Sequence, residues 1–445
     1  MSTSQPDPTP SSGGKPAEEE VVGLCRDLIR LDTSNYGDGS GPGERKAAEY
    51  VAEKLAEVGL EPVVTEPEPG RTSVVARWPG EDPARAALLV HGHLDVVPAE
   101  AADWSVDPFA GEVRDGCVWG RGAVDMKDMD AMILALVRQW RREGRQPPRD
   151  VVLAFVADEE AGGLLGAHWL VDHRADLLEG CTEAVSEVGG FSMTLAGQRF
   201  YLLETAQKGL AWMRLTTAGR AGHGSMVNDD NAVTELCEAV ARLGRHAWPV
   251  RMTTTVRAFF DRVSEALGVE LDPDRPEEAL ARLGTMARIV GATLRNTTNP
   301  SMLQAGYKVN VIPQGASASV DGRFLPGYED EFFATVDELL GPRVRREMLV
   351  HQPALEIEPE GPLWDAMAAA VLAEDPEGQV APYCLSGGTD NKAFARLGMR
   401  GYGFSPLQLP AELDFPAMFH GVDERVPVEG LRFGVRVLDR FLATS

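Results

Sequence analysis

The sequence predicts an α/β fold in which an outer domain of strands and helices is interrupted by a smaller inserted domain. Three observations carry this. Short apolar runs end abruptly in polar residues, as strands do at the carboxyl edge of an α/β sheet. Amphipathic helical stretches lie between those runs. The character of the chain changes after Thr205, and the first pattern resumes at Pro362. The clearest run is residues 151–163, VVLAFVADEEAGG, where an apolar stretch to Ala157 gives way to Asp158, Glu159 and Glu160. Three adjacent acids repel one another, so a fold that holds them at a strand end supplies a cation or a proton. A solvated acidic turn and the strand-plus-acid half of a nucleotide-hydrolase site are the competing explanations.

In order along the chain, MSTSQPDPTPSSGGKPAEEE opens with Pro, Ser and Gly and has no basic stretch followed by an apolar core. It reads as a disordered tail over residues 1–16, not a signal peptide. Helical spacing begins near Glu18, with Val21, Leu24, Leu28 and Leu31 on one side. A second helix runs from about Gly43 and stops at Gly59, with Val51, Leu55 and Val58 facing one way. Residues 85–90, RAALLV, form a short strand that ends in HGHLDVVP. In WGRGAVDMKD the glycines before Asp125 suit an unusual turn, and Asp125 stands where a helix N-cap belongs. Met129, Met132, Ile133, Leu136, Val137 and Trp140 then keep helical spacing, a core stripe. After the 151–157 strand and its helix, another strand ends in SEVGG, once more an acid at a strand terminus.

Beyond Thr205, residues 210–217 read as a strand, followed by AGHGS and a helix with Val233, Leu236, Cys237 and Val240. Strands follow around 293–297 and 316–324, a helix spans 329–340, and a last strand runs about 349–357. That β-α-β-β-α-β order is a small split βαβ sandwich. Residues 273–276, with acids around them, mark a surface excursion within it. The boundaries are a first part at 17–207, an insert at 208–357 and a second part at 358–445.

The 445 residues suit about two to three domains, and 44% apolar content allows a sizeable core. A net charge of −25 argues against nucleic acid as a partner and leaves cations as plausible ligands. No apolar run is long enough for a membrane span. Five cysteines without a CxxC pair read as free thiols of a cytoplasmic protein.

The polar residues at the outer domain's strand ends are His93, Asp95, Asp125, Glu159, Glu160 and Glu187, and FHGVDER adds His420. Imidazoles and carboxylates without paired cysteines suit divalent zinc, cobalt or manganese. Three carboxylates and one hydroxide would balance the charge of two such ions. No GxxxxGK[ST] occurs, so a P-loop nucleotide hydrolase is excluded.

The ordered motifs HGHLDVVP, GRGAVDMK, ADEEAGG, SEVGG, AGHGS with NAV after it, NVIP and FHGVDERV make the chain resemble the M20 metallopeptidases. This is the aminoacylase, carboxypeptidase and succinyl-diaminopimelate desuccinylase group, and the resemblance runs from about residue 20 to the end. It implies a metal-dependent catalytic domain with a mixed sheet flanked by helices, interrupted by a βαββαβ lid or dimerisation domain. Asp125 would bridge two metals, zinc by the family's habit; His93 and Glu187 would complete one site, Glu160 and His420 the other. Glu159 would be the general base, and Asp95 would hydrogen-bond the His93 ring. A cis peptide would follow Asp125, and His91 would be a packing residue.

By the same resemblance His223 would stabilise the oxyanion, across the interface of a homodimer. Asn310, Arg323 and the loop carrying Gly388 would bind substrate, a guanidinium suiting a carboxylate. The substrate would be dipeptide-sized or an N-acyl amino acid with a free carboxylate. The sequence does not separate dipeptidase, carboxypeptidase and deacylase. Asp128 and Val188 depart from the family's usual residues. A non-catalytic scaffold of the same fold is the alternative, and it would need a lost ligand or base, whereas all are intact.

Overall fold

Every side chain of the strand Val151–Val156 is buried, which is why the run shows no polar alternation: the sheet is covered on both faces. The structure, a computed structural model, describes residues 14–272 and 274–445. The tail expected over 1–16 therefore lies outside the described residues up to residue 13, as does Pro273 of the expected surface excursion. The chain divides into two compact units. The first takes the described chain up to Met193 with Glu360–Gly378 and Ala393–Ser445; the second is Thr194–Pro359 with Gln379–Lys392.

In chain order the first unit contains helices α1 (Ala17–Arg30) and α2 (Arg45–Ala56), then strands β1 (Val63–Glu68), β2 (Arg71–Trp78) and β3 (Ala87–His93). Helix α3 (Lys127–Glu143), β4 (Val151–Val156), α4 (Ala167–His173) and β5 (Cys181–Ser186) follow. Helix α5 (Pro362–Glu374), β6 (Arg400–Gly403) and α6 (Val428–Leu442) complete it. The strands lie in the order β1-β2-β4-β3-β5-β6. β2 pairs antiparallel with β1 and β4, whereas β3 is parallel to β4 and β5, and β6 is parallel to β5. This is a mixed sheet, and its parallel centre brings His93, the Asp158 turn and Glu187 out at one carboxyl edge.

Val152, Ala154 and Val156 pack with Ala167, Leu170 and Phe394, leaving Val151, Leu153 and Phe155 for the opposite face by period-two alternation. Leu153 is fully buried. Leu153→Ala is expected to cost about 2–5 kcal/mol, read as a lower urea midpoint for this unit. Helices α1, α3 and α6 pack on one another. The expected stripe of α3 is buried from Met129 to Trp140, and Gly144 at φ +70 stops the helix. The helix begins at Lys127 with no side-chain cap, so Asp125 is not its N-cap. The β1–β2 hairpin turns at Gly70 (φ +89) and is not evident from the sequence: β1, at the sheet edge, is mostly exposed or half-buried, and the buried β2 opens on the polar Arg71, Thr72 and Ser73.

The second unit contains an antiparallel sheet in the order Thr297–Ala305, Gly315–Phe324, Gly209–Ala218, Arg345–Gln352. Helices Ala232–Arg245 and Glu329–Leu340 pack on it through Leu236, Leu243, Phe332 and Val336. The sheet strands and the two helices packed on them run β-α-β-β-α-β, with further helices between the first helix and the second strand, and two strands are displaced from where the sequence reading puts them. The strand expected at 293–297 is Thr297–Ala305, and the one expected from 349 is Arg345–Gln352. Both are edge strands with much exposed side chain, so no apolar run marks them. Residues between Thr254 and Gly291 form short helices. Gln198–Gln207 and Gln379–Leu385 pair in parallel within the same unit. No helix among the described residues is long and apolar enough to cross a membrane, and all five cysteines are free.

Candidate metal centre

The carboxylate of Asp125 faces two imidazoles, one with each oxygen. His93 Nε2 lies 3.0 Å from Oδ1, and His420 Nε2 lies 3.3 Å from Oδ2. Each imidazole has a second carboxylate: Glu187 Oε2 at 3.5 Å from His93, and Glu160 Oε2 at 3.0 Å from His420. One oxygen of Glu159 stands within 4.8 Å of ligand atoms of His93 and Glu187, and His93, Asp125 and Glu160 form a second group within the same limit. The structure therefore brings together His93, Asp125, Glu159, Glu160, Glu187 and His420.

Chain geometry explains each position. His93 is the last residue of β3, Glu187 follows β5, and Glu159 and Glu160 stand on a short turn after β4. Asp125 precedes α3, and the peptide after it is cis, as the resemblance implies. His420 has a positive φ of 58° and is the exposed member, with 56% of its side chain accessible; the other four, His93, Asp125, Glu160 and Glu187, are at most 12% exposed.

Burial opposes the His93 imidazolium, but Glu187 and Asp125 beside it outweigh that and raise its pKa well above the ordinary value. Hydrogen bonds to Asp125 and Glu160 push His420 up to about 10. Burial, with Asp125 nearby, pushes Glu160 up to about 7. Burial also raises Glu187. The cluster thus holds more negative charge than its imidazoles neutralise. Glu160 Oε1 is buried with no hydrogen-bond partner among the described residues. Nitrogen and oxygen donors in this proportion, with an orphaned carboxylate oxygen, fit divalent cations.

The hydrogen bond expected between Asp95 and the His93 ring is made by the Asp95 backbone, not by its side chain. His93 Nδ1–H donates to the Asp95 backbone carbonyl at 2.9 Å, whereas the carboxylate is 3.6 Å away. The carboxylate instead accepts from the amides of Glu159 and Glu160, both at 3.1 Å. The bond to the ring fixes Nδ1 as a donor and directs Nε2, the nitrogen that would be left to ligate a cation, at the Asp125 carboxylate. His91 packs edge-on against Phe394 at 4.7 Å.

Glu424, to which the sequence attached no role, supports the loop of Asp125. Its fully buried carboxylate accepts from the amides of Gly122 (3.0 Å), Val124 (2.7 Å) and Asp125 (3.2 Å), and from Arg121 Nη1 (2.7 Å). Its position after His420 in an acidic stretch is a weak signal, since such residues are usually solvated. The two departures, Asp128 and Val188, line one small cavity with Glu187 and Ser405.

The expected substrate-binding residues lie in the second unit. His223 is exposed and pairs in a short bridge with Val311, while Gly224 N donates to Asn310 O at 3.0 Å, so His223 and Asn310 are neighbours. His223 Nδ1 is 2.8 Å from Ser225 Oγ. The Arg323 guanidinium is engaged by Asp321 through two contacts, at 2.7 and 3.2 Å. Gly388 lies over Lys392; a Cβ there would stand 2.5 Å from Nζ.

The sequence model of peptidase family M20/M25/M40 matches residues 89–444. Aminoacylase-1 of Pongo abelii is 28% identical over 440 residues, covering 97% of each chain. Among solved structures, the M20 family metallo-carboxypeptidase Sso-CP2 of Sulfolobus solfataricus is similar with a TM-score of 0.72 and 17% identity, over 96% of this chain and 99% of that one. A Bacillus subtilis dinuclear metal binding peptidase of the M20 family gives a TM-score of 0.62 at 13% identity, over 96% and 98%.

Proposed function

The chain belongs to peptidase family M20/M25/M40, and from that premise we propose a hydrolase that uses two divalent metal ions to cleave the amide bond of a small substrate. The observation that carries this is the Asp125 carboxylate set between two histidine–glutamate pairs, His93 with Glu187 and His420 with Glu160. These five residues would hold the ions, with Asp125 shared; zinc is the first choice, cobalt or manganese the alternatives. Bound there, divalent ions supply Lewis acidity toward a carbonyl oxygen and a water.

Glu159 is the general base. It takes a proton from the attacking water and delivers it to the leaving nitrogen, a role that needs a carboxylate beside the reacting atoms. Asp95 holds the Glu159 and Glu160 amides and so keeps the base in place. His223 donates to the oxyanion, and Asn310, Arg323 and the Gly388 loop bind the substrate, whose free carboxylate would replace Asp321 as the partner of Arg323. The relatives named as aminoacylase and carboxypeptidase support an N-acyl amino acid or the C-terminal residue of a short peptide.

The test is a hydrolysis panel of dipeptides and N-acyl amino acids with zinc-loaded protein, before and after chelation. No turnover on any of them by protein that carries two ions would favour the non-catalytic alternative.

The insert at 208–357 is proposed as a lid and dimerisation domain of a cytoplasmic homodimer. If His223 acts across the dimer, His223→Ala and Asp125→Ala, each inactive alone, recover hydrolysis when mixed under subunit exchange. Verified heterodimers without recovery would place His223 within its own subunit.

A further inference from the structure

Residues 33–35 lie along the chain that leaves His93. Thr33 Oγ1 donates to Leu94 O (2.7 Å), Val96 N to Thr33 O (3.2 Å), and Asn35 N to Val96 O (2.9 Å). This brings the Asn35 side chain, which is buried, to a point between two carboxylates. Its Nδ2 donates to Asp95 Oδ2 at 2.9 Å and to Asp158 Oδ1 at 3.2 Å. Its Oδ1 accepts from Arg71 Nη2 at 3.0 Å and from Gly37 N at 3.0 Å. A guanidinium and a backbone N–H only donate, and carboxylates only accept, so these partners admit one orientation of the amide. Arg71 is held from behind by its buried ion pair with Glu44.

Both carboxylates that Asn35 joins support the turn after β4. Asp95 accepts from the amides of Glu159 and Glu160. Asp158 Oδ2 accepts from Leu165 N at 3.0 Å, and Asp158 itself begins the turn with a φ of +70°. Without a donor between them, two buried carboxylates would repel at this spacing.

We infer that Asn35 is a positioning residue: its amide locks the acid-bearing turn of Glu159 and Glu160 to the strand end that carries His93. The inference rests on the two-metal reading above. Its effect falls on one side of the site. Glu160 stands on the turn, whereas the Asp95 carbonyl that holds the His93 ring sits on backbone fixed by Leu94 N to Val156 O (2.8 Å) and Val96 N to Thr33 O (3.2 Å), and Glu187 leaves β5, so neither His93 nor Glu187 depends on the amide.

The experiment is a Co(II) titration with a competing chelator, followed by absorption. Wild type takes two ions per chain. In Asn35→Asp an acceptor replaces the Nδ2 donor, and in Asn35→Ala the link is removed. In both, one of the two ions binds about 10- to 100-fold more weakly, the range seen when partners of metal ligands are lost. On a His420→Ala background, which leaves the His93–Glu187 side, neither substitution weakens the remaining ion further. Val171→Ala, a core change on the buried face of α4, serves as a control that lowers stability without selective loss of an ion. Equal weakening of both ions, or two ions bound as tightly as in wild type, overturns the role of Asn35. A wild type that takes no second ion overturns the two-metal reading itself.

Discussion

Glu159→Gln lowers kcat by about 10²–10⁴-fold, the range for loss of a general base, while the protein keeps its metal. The substitution preserves volume and leaves the backbone amide that Asp95 accepts from, so the turn stays in place. What disappears is a carboxylate within 4.8 Å of ligand atoms of His93 and Glu187 that can take and return a proton. The check is single-turnover kinetics on protein of measured metal content. A metal-replete variant with near-normal kcat would assign the proton to another group.

Asp125→Ala has the larger effect. Each oxygen of this carboxylate faces a different histidine–glutamate pair, so its removal weakens both sides at once and returns two imidazoles to unbalanced neighbours. Metal content falls for both ions, and activity drops by about 10³-fold or more, since Lewis acidity contributes several kcal/mol and each 1.36 kcal/mol is tenfold. Asp125→Asn separates charge from geometry: it keeps the shape and one acceptor, and its metal content is intermediate. Elemental analysis with activity before and after chelation measures both. Two tightly held ions in Asp125→Ala would remove the shared-carboxylate role.

Much of the candidate site was legible because its residues sit where elements end. β3, β4 and β5 read as strands since both sheet faces bury them, and an acid or histidine directly after such a run is conspicuous. The exposed edge strands Thr297–Ala305 and Arg345–Gln352 and the edge strand β1 lacked that signal, and the buried β2 opens on Arg71, Thr72 and Ser73. Likewise, the partners of the site were silent. Asn35 lies 60 residues from Asp95, and Glu424 lies 299 from Asp125. A buried polar residue is distinguished from a solvated one by its partner, and no local periodicity reveals a partner that far along the chain.

By itself the sequence determined the chemistry available at the carboxyl edge: two imidazoles and a group of carboxylates, with no paired cysteines and no phosphate-binding loop. Parallel strands ending at His93, Glu159, Glu160 and Glu187 were enough to place those four on one side of a sheet. Only the tertiary structure decided which oxygen meets which imidazole, and that the Asp95 carboxylate holds the Glu159 and Glu160 amides while its carbonyl holds the His93 ring. The physical reason is that hydrogen bonds are directional over about 3 Å. Residue type and spacing give the inventory of donors and acceptors, but their angles exist only once the sheet, α3 and the loop of Glu424 have packed.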